Sequence, residues 1–166
     1  MLTSLVGSEM CIRDRDNNID EGMAWREVGF DDSGWKTGAA PLGFGRVNGI
    51  NMATTTTSRI PTAYFRTTVN VTDLNLIESF LFKLLVDDGA VVYVNGQEAF
   101  RDGFDPNTAV GHNVFADSSG NESDFDEFEV NPDLFIEGEN VIAIEVHNTS
   151  LGLSLIHISE PTRLVS

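Results

Sequence analysis

Residues 79–101 read SFLFKLLVDDGAVVYVNGQEAFR, and this stretch decides the fold. Ser79 to Val86 is a nearly continuous apolar run of strand length. Asp87-Asp88-Gly89 is a turn signal, and Ala90 to Val94 (AVVYV) is a second apolar run. Asn95-Gly96 interrupts it, and Gln97 to Arg101 returns. Asn-Gly at such a break predicts a β-hairpin with a type I′ turn, because both central residues must take positive φ.

Working outward, the same grammar repeats. Ala63 to Val71 (AYFRTTVNV) alternates and is rich in aromatic and β-branched residues. Val141 to His147 (VIAIEVH) is the strongest strand. Alternation puts Ile142, Ile144 and Val146 on one face and Val141, Ala143, Glu145 and His147 on the other. The second face carries an acid and an imidazole, so it is expected to be solvated, as one face of an antiparallel sheet often is. Phe125 to Val130 (FDEFEV) reads as a short strand, and Asn131 to Phe135 as a single helical turn. Thr54 to Ser58 reads as a loop, and residues 102–124 as a long connection interrupted by a strand at Val114-Phe115. Short strands separated by turn signals predict an all-β sandwich or barrel in one domain.

Composition narrows the function classes. The 166 residues carry 10 Lys+Arg against 26 Asp+Glu, a formal charge of −16. Binding to duplex nucleic acid rests on neutralising phosphates with basic side chains, so that class is excluded. No apolar stretch is long enough for a membrane-spanning helix. The single cysteine rules out an intrachain disulfide framework.

The two ends read differently from the middle. Residues 5–15 (LVGSEMCIRDR) and 153–163 (LSLIHISEPTR) have no targeting character and resemble translations of one sequencing-adaptor oligonucleotide in its two orientations. GAG-ATG-TGT-ATA-AGA-GAC, for example, encodes Glu9 through Asp14. On this reading residues 1–15 and 153–166 are adaptor-derived, 16–152 are the natural sequence, and the chain is truncated at both ends. Cys11 and His157 are then foreign, while the central part keeps 7 basic and 23 acidic side chains.

The middle contains an ordered set of motifs. Trp25 is followed by Phe30-Asp31-Asp32-Ser33-Gly34-Trp35, then Ala40-Pro41-Leu42-Gly43-Phe44-Gly45 and Tyr64-Phe65-Arg66. Asp87 to Gly96 and Leu134 to His147 complete the set. It resembles the galactose-binding-like β-sandwiches, among them the sugar-binding domains of glycoside hydrolase family 2. The resemblance implies an antiparallel jelly-roll β-sandwich. It also implies a non-catalytic, carbohydrate-binding accessory module of a large secreted bacterial protein. Extracellular or cell-surface location, a polysaccharide or glycan ligand, and neighbouring domains of the parent chain as partners belong to the same expectation.

Several clusters are candidate sites. Asp87 and Asp88 offer hard oxygens to Ca²⁺, and similar Asp-Asp-Gly turns hold Ca²⁺ with a sugar in lectin-like modules; the competing reading is a plain turn. Glu145 and His147 could act as a general base or as two metal ligands; the competing reading is a plain exposed polar face. Trp35, with Trp25, could stack on a sugar or could pack the sandwich end. Asp31-Asp32-Ser33 matches the turn that positions Trp35 in the resembled family. The acidic loop (Asp117, Glu122, Asp124, Asp126, Glu127) lacks the EF-hand order of ligands. No G-x-S-x-G, phosphate-cradling loop or paired-His zinc motif occurs. Three functions compete: a carbohydrate-binding accessory module, a structural or adhesive spacer, and part of a catalytic glycoside-active domain.

Overall fold

The computed structural model describes residues 2–4, 11–39, 42–43, 46–47, 50–51, 54–55, 60–119, 124–151, 155–158 and 162–165. Its strands are β1 (Leu2–Ser4), β2 (Cys11–Arg15), β3 (Lys36–Ala39), β4 (Leu42–Gly43), β5 (Arg46–Val47), β6 (Ile50–Asn51) and β7 (Thr54–Thr55). They continue as β8 (Thr62–Val71), β9 (Ile77–Asp87), β10 (Gly89–Val94), β11 (Gln97–Asp102), β12 (Asp126–Val130), β13 (Gly138–His147), β14 (Leu155–Ile158) and β15 (Thr162–Val165). Short 3₁₀ turns lie at Ala24–Arg26, Leu74–Leu76 and Pro132–Leu134.

The strands form two main sheets. One runs β1-β15-β9-β14-β4-β7, with β12 also on β9, and the other runs β11-β10-β13-β8-β2-β3. Pairing is antiparallel apart from the short β4–β7 contact. The chain is an antiparallel β-sandwich. Asp87-Asp88-Gly89 is the corner where it leaves the first sheet at β9 and enters the second at β10, with Asp88 at φ 82. Asn95 (φ 49) and Gly96 (φ 84) form the type I′ hairpin that the sequence predicts.

Alternation sorts the apolar side chains into two clusters. Phe65, Phe80, Phe82, Val92, Ile142 and Ile144 belong to the one that fills the space between the sheets. Trp25, Trp35, Tyr64, Val91, Tyr93, Val141 and Ala143 form the other, on the outer face of the second sheet. The face of β13 expected to be solvated is therefore buried, with Glu145 6% and His147 0% exposed. The reason is a covering segment of distant sequence. Arg66, on the outer face of β8, holds that segment by donating to the carbonyls of Trp25 and Glu27 and, 2.9 Å away, to Asp32.

Two further expectations change. Val114-Phe115 is not a strand: this part of the connection is irregular, and its backbone is held by contacts with β13 and the residue after it, Val114 O by His147 and Ala116 N by Asn148 O. Thr54–Thr55, expected in a loop, pairs with β4; residues 56–59 lie outside the described residues.

Candidate functional site: a cleft above a buried polar relay

The site is built on the outer face of the second sheet. β8 contributes Thr62 and Tyr64, β10 contributes Tyr93, and β13 contributes Glu145 and His147. In the register, Tyr64 stands opposite Glu145, and Thr62 opposite His147. Alternation in three adjacent strands thus brings five polar side chains onto one surface.

These groups form a chain of close polar contacts, hydrogen-bonded except at the step from Glu145 to His147, where the two side chains lie within ion-pair distance. The Tyr93 hydroxyl donates to Glu145 Oε1 at 2.5 Å, and Glu145 Oε2 lies 3.3 Å from His147 Nε2. His147 Nδ1 lies 2.7 Å from the Val114 carbonyl, which can only accept, so that nitrogen carries the proton. The same nitrogen is 2.9 Å from Thr62 Oγ1, whose hydroxyl donates to the His112 carbonyl at 2.5 Å. His112 Nδ1 in turn shares a 2.9 Å hydrogen bond with the Tyr64 hydroxyl, and the two rings stack.

The electrostatics follow from this wiring. Burial alone would push the Glu145 carboxyl up, but His147 and the Tyr93 phenol hold it below the usual carboxylate range. Burial, reinforced by the Glu145 charge, pushes both the Tyr64 and Tyr93 phenols up, so both hydroxyls stay protonated and available as donors.

Above the relay lies a cleft of about 380 Å³. Tyr64, Tyr93 and Glu145 contribute to its floor, Met23 and Arg26 form one wall, and Glu98, Arg101 and residues 108–112 form the others. Sequence reasoning singled out Glu145 but not Tyr64, Tyr93, Glu98, Arg101 or His112. The alternation of 63–71 against 90–94 carries the signal for the two tyrosines. The other three depend on loop placement.

The remaining candidates fall elsewhere. Trp35 is buried, with its ring 6.4 Å from Trp25 and 5.8 Å from Phe30, beneath the covering segment. Both oxygens of Asp88 are engaged by Thr149, one by the backbone N–H at 2.8 Å and one by the hydroxyl at 2.9 Å. Ca²⁺ takes roughly six to eight oxygen ligands. Among the described residues no three His, Cys, Asp or Glu are grouped to hold a metal. In Asp31-Asp32-Ser33, Asp31 accepts from the Ser33 backbone at 3.0 Å, and Asp32 binds Arg66. Asp117 accepts from Asp105 N and the Thr108 hydroxyl, which lowers its carboxyl, and Glu127 pairs with Lys83. Glu122 lies outside the described residues.

The sandwich is similar to β-sandwich domains within glycoside hydrolases of known structure. β-Glucuronidase 2 of Bacteroides uniformis matches with a TM-score of 0.56 and 15% identity, over 99% of this chain and 18% of its own. A β-glucuronidase from an uncultured Clostridium species matches with a TM-score of 0.55 and 13% identity, over 96% of this chain and 29% of its own. A glycosyl hydrolase family 2 member from Bacteroides cellulosilyticus gives 0.52 and 18%, over 96% of this chain and 21% of its own. The chain thus spans between about a fifth and under a third of these structures. No family model and no curated protein sequence matches it. At such identities the likeness establishes the fold.

Proposed function

We propose that residues 16–152 form a non-catalytic, carbohydrate-binding-like accessory module of a larger secreted glycoside hydrolase of the family 2 kind. The observation that supports this most is the structural likeness: nearly all of this chain aligns with a minor share of each β-glucuronidase. A minor share of a larger enzyme fits an accessory part, and the galactose-binding-like jelly roll is the sandwich type that its motifs resemble. The cleft over the relay is the concave, polar surface such a module would offer a glycan. A second reading, a structural spacer, draws support from the relay itself, whose hydrogen bonds close within the protein. A glycan array probed with the full chain, with and without Ca²⁺, tests the first reading. Retention of a glycan is expected, with no turnover of aryl glycosides. A blank array leaves the spacer, and turnover would sink the non-catalytic assignment.

The adaptor origin of both ends belongs to the same proposal, and one residue of β2 supports it. Asp14 shares a strand face with Ile12, which lies in the core between the sheets. It is 1% exposed, and its carboxyl oxygens accept no hydrogen bond from any other described residue. A natural strand in that slot would carry an apolar residue there.

A further inference from the structure

We propose that the cleft above the relay binds a neutral pyranose and rejects uronic acids; this rests on the carbohydrate-binding reading above and names its site and ligand class. The argument begins with charge. Arg101 spends its guanidinium on Glu98, with Nε 2.7 Å from Oε1 and a second nitrogen 2.8 Å from Oε2, and its remaining nitrogen donates to the Thr108 carbonyl at 2.8 Å. A carboxylate ligand needs that same planar fork and finds it taken. The other guanidinium, Arg26, sits 4.4 Å from the centre of the Tyr93 ring, and its Nε donates to the Met23 carbonyl. Two more carboxylates, Asp20 and Glu145, face the same cleft. Three carboxylates thus face the cleft against two guanidinium groups, and their excess negative charge repels an anion entering it.

A neutral polyol meets a different surface. The Glu98 oxygens keep spare lone pairs, the phenol oxygens of Tyr64 and Tyr93 keep acceptor capacity, and vicinal hydroxyls can use both. Met23, 73% exposed, supplies an apolar wall for the C–H face of a ring. Small-ligand pockets run from roughly 300 to 1,000 Å³. At about 380 Å³ this cleft suits one or two sugar rings. The floor is also fixed before any ligand arrives, because both phenols are anchored at opposite ends of the relay, Tyr93 on Glu145 and Tyr64 on His112. Anchored groups lower the ordering cost of binding.

The test is saturation-transfer NMR on the full chain with methyl glucoside, methyl galactoside and methyl glucuronide. Saturation of a neutral glycoside is expected, with affinity at least about tenfold above that of the glucuronide. Replacing Arg101 by Met releases Glu98 and the Thr108 carbonyl, which it holds in place at the cleft, and is expected to weaken binding about tenfold. Because Arg101 also ties down Thr108, Met23→Ala serves as the second variant: the Met23 side chain is exposed, and its loss leaves the fold alone while weakening binding about threefold. Binding of no glycoside of either charge overturns the carbohydrate reading and the inference together. Equal or tighter binding of the glucuronide overturns the ligand class while the carbohydrate reading stands. Neutral binding that neither variant changes overturns the assignment to the cleft.

Discussion

Glu145 on β13 and Asp14 on β2 are both buried carboxylates in the same sheet, 6% and 1% exposed, yet their environments act in opposite directions. Glu145 faces the outer cluster and receives the Tyr93 hydroxyl, with His147 beside it. Asp14 faces the interior between the sheets, and its carboxyl oxygens accept no hydrogen bond from any other described residue. Burial lifts the Asp14 carboxyl, the Asp16 charge lifts it further, and Lys36 only partly opposes them. In Glu145 the same burial is overcome by bonded neighbours, and the carboxyl moves down. The difference shows that depth does not decide whether a buried acid is tolerated; the donors assembled around it do.

The largest effect should come from breaking the satisfied acid. Glu145→Ala leaves the buried Tyr93 hydroxyl without its acceptor and removes the carboxylate beside His147. Removing one member of a buried pair costs about 3 kcal/mol, which for a domain of this size lowers the melting temperature by roughly 6–12 °C. Thermal unfolding followed by circular dichroism measures it. A change of under 2 °C, itself roughly the 1 kcal/mol scale or less, would mean that the relay contributes little and would collapse the contrast with Asp14.

The second experiment repairs the orphan. Asp14→Val replaces a carboxylate lacking donors with a side chain that suits its core neighbours, and a gain of about 2 kcal/mol is expected. The pH dependence carries the sign. The Asp14 carboxyl is raised in the folded state, so its contribution is intact below the ordinary value of 3.8 and is lost as pH climbs through the raised value. Glu145 is lowered, so its contribution is present above the ordinary value of 4.5 and is lost as pH falls through the lowered one. The advantage of Asp14→Val over the parent chain should therefore be small in strong acid and grow towards neutrality. An advantage that is constant with pH, or a loss of stability, would make Asp14 a residue suited to its place and would remove the physical support for a foreign β2.

How far the sequence reveals these environments can be argued residue by residue. The alternation of Val141 to His147 predicts which side chains share a face, and the structure agrees. It does not predict what covers that face. The cover comes from Trp25 to Trp35, held by Arg66 reaching backbone carbonyls more than three dozen residues away in sequence, and from residues 104–116, held by Thr62 and His147 at the His112 and Val114 carbonyls. No local pattern encodes such a contact, so the Glu145 and His147 face reads as solvated until the fold closes over it. The Asn95-Gly96 turn is legible for the converse reason: its positive φ values are a local demand that few residue types meet. The corner at Asp88 lies between these cases. Its turn is visible in the sequence, whereas the engagement of both carboxyl oxygens by Thr149, across 61 positions, is not.

The smallest effect refines what satisfaction means for Glu145. Tyr93→Phe removes one hydroxyl and keeps the ring, which packs edge-on to Trp25 at 5.9 Å and lies beneath Arg26. Because packing survives, the loss is that of one hydrogen bond to a charged acceptor on a group that retains His147, about 1 kcal/mol. The hydroxyl is also one of the three neighbours, with His147 and Arg26, that hold the Glu145 carboxyl down, so its removal leaves burial less opposed. The acid limb of the stability curve should therefore begin at higher pH in Tyr93→Phe than in the parent chain, a displacement that simple loss of packing would not produce. Chemical denaturation at a series of pH values resolves the two. If the curve drops uniformly without moving along the pH axis, the phenol acts only by filling space, and the contrast between the two acids rests on His147 and Arg26.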